Sequence, residues 1–194
     1  MQKIFHLPIV ALTAISVTVA FPPAALAQSP VGALVTIVVP AGEFGSKQFT
    51  DVIVTSLGAA KGFCSQLDQS YQIDCIAERL GKMASDIPKD SDYAEVRALL
   101  KSTSDEMSDV ARRNRDRTRP RQKASSGGSN PQTTTRPLTP VAQSSLVEAS
   151  LQAAAILDRT ETLLLRSPDD ESGKSLHYAR IAEAIGSNKT LLRS

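Results

Sequence analysis

Residues 71–87 read YQIDCIAERLGKMASDI, and the spacing of their apolar positions decides the fold. Ile73, Ile76, Leu80, Met83 and Ile87 follow one another in steps of three and four residues, one stripe of an amphipathic helix. Pro88 ends that helix, having no amide hydrogen to donate. The pattern restarts after Ser91: Tyr93, Val96, Leu100, Thr103, Met107 and Val110 keep the same spacing, and Asp92 with Glu95 fits a capping box. Two matched stripes joined by the short stretch Pro88 to Ser91 predict an antiparallel helical hairpin.

Upstream, FCSQLDQSYQIDCI holds both cysteines, Cys64 and Cys75. On one continuous helix their Cα atoms would stand about 16 Å apart. A disulfide needs about 4.4–6.8 Å. A bond therefore requires the chain to turn between them, and Leu67-Asp68-Gln69-Ser70 supplies polar turn chemistry at that point. A redox C-x-x-C is absent and metal ligands are scarce, so the expectation is a structural disulfide joining two helix ends.

The N-terminus sets the compartment. MQKIFHLPIVALTAISVTVAFPPAALAQ has a cationic start at Lys3, an apolar run from Leu7 to Ala20, and the small-x-small sequence Ala25-Leu26-Ala27. This is the pattern of a cleaved signal peptide, residues 1–27, and it predicts export to the periplasm or the outside. The apolar run is shorter than the roughly 20 residues of a membrane span, and Pro22-Pro23 interrupts it, so no transmembrane anchor is expected after cleavage. Export also means an oxidising compartment, which favours the disulfide.

Residues 28–47 form a poorly defined N-terminal segment. LVTIVV (34–39) and VIVTS (52–56) suit a β-hairpin, yet Phe49, Ile53, Leu57 and Ala60 are spaced for a helix leading into Cys64. The helix is the expectation for 48–63, within an N-terminal helical part covering 48–115.

Residues 116–139 change character. The stretch RTRPRQKASSGGSNPQTTTRPLTP is dense in Pro, Gly, Ser and Thr and poor in large apolar residues, which predicts a disordered or weakly extended linker. Across its start runs a basic belt of Arg112, Arg113, Arg115, Arg117, Arg119, Arg121 and Lys123, opposed by Asp116 alone. The belt outweighs the chain's formal net charge of +2, so the remainder is acidic on balance. Such a cluster can contact a polyanion, an anionic membrane surface or an acidic partner. It contains no aromatic residue to stack bases, and export makes nucleic acid an unexpected partner.

Structure is expected to resume over 140–194 as a helical hairpin packing on the first part. Thr139-Pro140 suits a helix start. Leu146, Ala153, Leu157 and Leu164 share one face, flanked by Ala149, Ile156 and Leu163. Ser167-Pro168-Asp169-Asp170 suits a second start, with Leu176, Tyr178, Ile181 and Ile185 following and Gly186 as the stop.

Catalytic sets are not evident. G-x-S-x-G, H-E-x-x-H and Ser-x-x-Lys do not occur. ESGKS (171–175) has Pro168 where a phosphate-binding loop needs glycine. His177, the one histidine beyond the signal peptide, is the residue on which a hydrolase using a Ser or Asp would be built. No metal, cofactor or catalytic residue is assigned. The expected protein is all-α, a small bundle of four or five helices with a disulfide-clasped helix-turn-helix and a long linker. Its expected role is non-enzymatic, binding another envelope protein or an anionic surface.

Overall fold

A computed structural model describes residues 47–127, 131–167 and 174–193. The expected signal peptide (1–27), residues 28–46, the apolar run 34–39, and most of the Ser167–Ser175 region, including Pro168 to Gly173, lie outside the described residues. Five helices follow in order: α1 (Lys47–Cys64), α2 (Gln69–Asp86), α3 (Ala94–Arg113), α4 (Leu146–Arg166) and α5 (Lys174–Asn188). Short 3-10 turns stand at Gln143–Ser145 and Lys189–Arg193. No strand occurs among the described residues, so the fold is all-α.

The ring of helices follows from the stripes. Each helix packs on the next in sequence, and α5 returns to α1. α2 and α3 are antiparallel: Ser104 of α3 donates its hydroxyl to the Ala77 carbonyl at 2.7 Å, and Arg97 donates to the Ala84 carbonyl at 2.8 Å. The two helices approach closely because Gly81 carries no side chain. A Cβ there would stand 2.6 Å from Ser104 Oγ. α4 runs back along α3, with the Thr103 and Thr160 hydroxyls 2.7 Å apart in the interior. Ile53, Leu57, Ile76, Leu80, Leu100, Met107, Leu157, Ile181 and Ile185 fill the shared core.

The turn between the cysteines is present. α1 ends at Cys64, and Asp68 caps α2 by accepting from the Ser70 amide at 3.0 Å and the Ser70 hydroxyl at 2.6 Å. Cys64 and Cys75 are disulfide-bonded with Cα atoms 5.8 Å apart, both fully buried. The chain leaves helical geometry at residues 65–68, slightly earlier than Leu67–Ser70.

The expected mobile linker is corrected. Residues 115–127 and 131–141 form two arms of an irregular antiparallel hairpin, here termed the strap. Isolated bridges pair Arg115 with Val141, Gln122 with Leu138, and Ser125 with Thr133. The Leu138 amide donates to the Gln122 carbonyl and the Asp116 amide to the Pro140 carbonyl, each at 2.8 Å. Leu138, Val141, Thr134 and Thr139 are buried, and the Val141 amide reaches the Ser70 carbonyl at 2.8 Å. The strap lies on the face of α2 that carries Asp74 and Glu78, so α2 is buried without interruption from Ser70 to Leu80.

Four local expectations also change. Tyr93, not Asp92, stands at the N-cap of α3 without a side-chain bond, and Glu95 instead accepts from the Tyr178 hydroxyl at 3.2 Å. Thr139-Pro140 does not start a helix, because the Thr139 amide is spent on Asp74 and α4 begins at Leu146. Gly186 does not stop α5, which continues to Asn188; a Cβ at Gly186 would stand 2.8 Å from Glu161 Oε2, so the glycine admits α4. Leu163 and Leu176 are exposed rather than in the core, at 43% and 66%.

Candidate functional site

The basic belt divides according to what each side chain touches. Arg119 turns inward and pins the strap: it donates to Asp68 Oδ1 at 3.0 Å and the Ser70 hydroxyl at 2.7 Å, and lies 5.0 Å above the Tyr71 ring. The Tyr71 hydroxyl donates to the Pro120 carbonyl at 2.9 Å, closing the same clasp. Hydrogen bonds from Ser70, then from Arg119, hold the Asp68 carboxyl down at about 2. The bond to Asp68 in turn raises the Arg119 guanidinium further above its ordinary range.

A second pin, missed in the sequence, is stronger. Asp74 is 1% exposed and accepts two parallel bonds from Arg136, each 2.7 Å, together with the Thr139 amide at 2.6 Å. This fork-on-carboxylate geometry is the strong form of the pair. Its hydrogen bond raises the Arg136 guanidinium. One turn on, Glu78 Oε1 accepts from the Thr135 amide and hydroxyl, both at 2.7 Å. Arg79, beside it, lies 4.0 Å above the Phe63 ring, and burial lowers its guanidinium. No local signal marked this face in the sequence: Asp74, Glu78 and Lys82, each four residues apart, read as an ordinary solvent-facing stripe.

The remaining arginines face out. Arg112, Arg113, Arg115, Arg117 and Arg121 line one concavity of about 520 Å³, with Thr139 at its wall. No carboxylate lines it among the described residues. The last turn of α3 delivers Arg112 and Arg113, where cations also suit the negative end of the helix dipole. The first strap arm delivers Arg115, Arg117 and Arg121, and the bend at Arg117 to Arg119 turns Arg119 to the opposite side, toward Asp68. Arg112 is shared with Asp109, and Arg121 donates to the Thr139 hydroxyl at 3.1 Å. The Arg113, Arg115 and Arg117 side chains are exposed, with no hydrogen-bond or ion-pair partner among the described residues. Lys123 is exposed on the same arm but does not line the concavity.

His177 is half-buried, with Nδ1 2.8 Å from the Thr50 hydroxyl, itself 3.3 Å from the Tyr93 hydroxyl. This joins the start of α5 to the start of α1. Among the described residues no three His, Cys, Asp or Glu side chains group to hold a metal, and no helix is long and apolar enough to cross a membrane. Compared with protein-family models, curated proteins and solved structures, the chain finds no match.

Proposed function

We propose that this chain is an exported, non-enzymatic helical module that binds an anionic component of the cell envelope through the arginine concavity. The observation that supports the reading is the gathering of five arginines around one concave surface, with no carboxylate lining it among the described residues. Like charges held together are unfavourable, and an anion relieves that repulsion. The strap is fixed by Asp68, Asp74 and Glu78, so the arginines of its first arm are presented on a pinned backbone. Export is supported by the N-terminal sequence pattern and by the use of both cysteines in a buried disulfide. The Thr50 hydroxyl that meets His177 is buried, so this pair does not favour a hydrolytic role.

Co-sedimentation with vesicles tests the reading. The chain is expected to bind phosphatidylglycerol vesicles at low salt, to leave phosphatidylcholine vesicles unbound, and to release as salt rises. Each basic residue near an anionic surface contributes about 1 kcal/mol, so Arg113→Gln, Arg115→Gln and Arg117→Gln together should weaken binding roughly a hundredfold. Binding that is absent, indifferent to salt, or unchanged by the triple substitution refutes it.

A further inference from the structure

We infer that the concavity takes one compact, multiply charged phosphate group, such as a pyrophosphate unit or a doubly phosphorylated head group, rather than the spread charge of an anionic sheet. The inference rests on the reading above that this concavity is the binding site, and it adds shape to charge. A volume of about 520 Å³ falls within the usual range for small-ligand sites, roughly 300–1,000 Å³. The lining, however, is five arginines and a threonine, so what fits there must be polar and strongly anionic.

Guanidinium forks match phosphate oxygens two at a time, which a lysine cannot do. The rim is built from two elements, α3 and the strap, each of which contributes arginines to the lining. Arg112 and Arg113 are consecutive on the last helical turn, whereas Arg115, Arg117 and Arg121 come from the bent first arm of the strap. A flat array of single charges would be met by one of these rows; a group with three or more charges at one point can use both. Thr139 adds a hydroxyl at the wall, held by Arg121 Nε. An extended nucleic acid is disfavoured by the absence of any aromatic side chain in the lining.

Isothermal titration calorimetry of the purified chain provides the test, with inorganic tripolyphosphate, pyrophosphate and monophosphate as probes. The expected result is saturable one-to-one binding that strengthens in the order monophosphate, pyrophosphate, tripolyphosphate. Arg115→Gln combined with Arg117→Gln should weaken tripolyphosphate about tenfold or more, whereas Lys123→Gln, on the same arm but outside the lining, should change it by less than about threefold. Circular dichroism of each variant confirms that it is folded. Equal losses for Lys123→Gln, or the absence of saturable binding, overturn the inference. If tripolyphosphate fails while phosphatidylglycerol vesicles still bind with the expected salt dependence, the compact-ligand inference falls and the broader reading stands; if both fail, both fall. A final arm separates lipid from soluble sources. Phosphatidylcholine vesicles carrying a doubly phosphorylated head group are compared with phosphatidylglycerol vesicles at equal total charge. Preference for the former assigns the phosphate to a lipid, and indifference together with tripolyphosphate binding assigns it to a soluble anion.

Discussion

Replacing Asp74 with alanine is the most direct test of the strap as a fixed element. The carboxylate is 1% exposed and holds three donors: both ends of the Arg136 fork at 2.7 Å and the Thr139 amide at 2.6 Å. Its loss leaves the buried Thr139 amide without an acceptor, which alone costs about 1–3 kcal/mol. Breaking a buried ion pair by removing one partner costs about 3–5 kcal/mol. The Arg136 side chain is 36% exposed and keeps the Ser108 hydroxyl at 2.9 Å, so water recovers part of its loss. The expected destabilisation is therefore about 3 kcal/mol, a large share of the roughly 5–15 kcal/mol that holds a domain. Urea unfolding followed by circular dichroism measures it. Limited trypsin digestion, read by mass spectrometry, locates it: cleavage after Arg115, Arg117, Arg121 and Lys123 should accelerate in the variant. Asp74→Asn, which keeps an oxygen for the Thr139 amide, should fall between variant and wild type. Asp74→Ala and Arg136→Met should be strongly non-additive, since each removes the same bond. A stability change below about 1 kcal/mol, with the wild-type strap already cut as fast as the variant, would refute a pinned strap.

Three further outcomes are expected. Gly81→Ala should destabilise by about 1–3 kcal/mol in urea, because its Cβ would meet Ser104 Oγ at 2.6 Å, and adding Ser104→Ala should recover part of the loss. Thiol titration of the denatured, unreduced protein should find no free thiol and two after reduction; replacing Cys64 and Cys75 with alanine should cost about 3 kcal/mol for a loop spanning 11 positions. Asp68 is depressed from 3.8 to about 2 when folded, so its contribution is whole above about pH 4 and is lost as pH falls through about 2. The stability gap between wild type and Asp68→Asn should close between those values; since the side chain is 56% exposed, the gap should be less than about 1 kcal/mol. A gap that widens on acidification would contradict the assignment.

The helices were legible where periodicity was long and punctuated. Ile73 to Ile87 and Tyr93 to Val110 each give five or six apolar positions in register, and Pro88 separates them. The α1 stripe of Phe49, Ile53, Leu57 and Ala60 is likewise buried. The disulfide was legible because rise per residue makes a turn obligatory once the bond is assumed. The strap was not legible, because the argument for disorder weighs apolar burial within a segment. Here the segment's own apolar residues are few, Ala124, Leu138 and Val141, and it is held by carboxylates belonging to another element. Asp74 and Glu78 read as the solvent face of an amphipathic helix, and nothing local to them announces that Thr135, Arg136 and Thr139 lie opposite, some 57–65 positions away. Gly186 shows the same ambiguity at one position: a helix stop and a close approach use the same residue, and only the Glu161 contact decides between them.

That pairing also explains why charge count alone misplaces the candidate site. Of the residues that make this region basic, Arg119 and Arg136 serve the fold, each bonded to a carboxylate of the α2 segment. Removing either would weaken anion binding only by loosening the strap, so a loss of binding there says nothing about contact. Arg113, Arg115 and Arg117 are the reverse case: they are exposed, with no hydrogen-bond or ion-pair partner among the described residues, and the fold gains little from them. At physiological salt, exposed charges are screened beyond about 8 Å, so isolated arginines on a loose linker would act singly. Held around one concavity by a pinned strap, they would act together on the ligand proposed above. On the proposed reading, the carboxylates Asp68, Asp74 and Glu78 would serve an anion site by a route that sequence charge conceals: they hold the strap inward while its other cations remain outward.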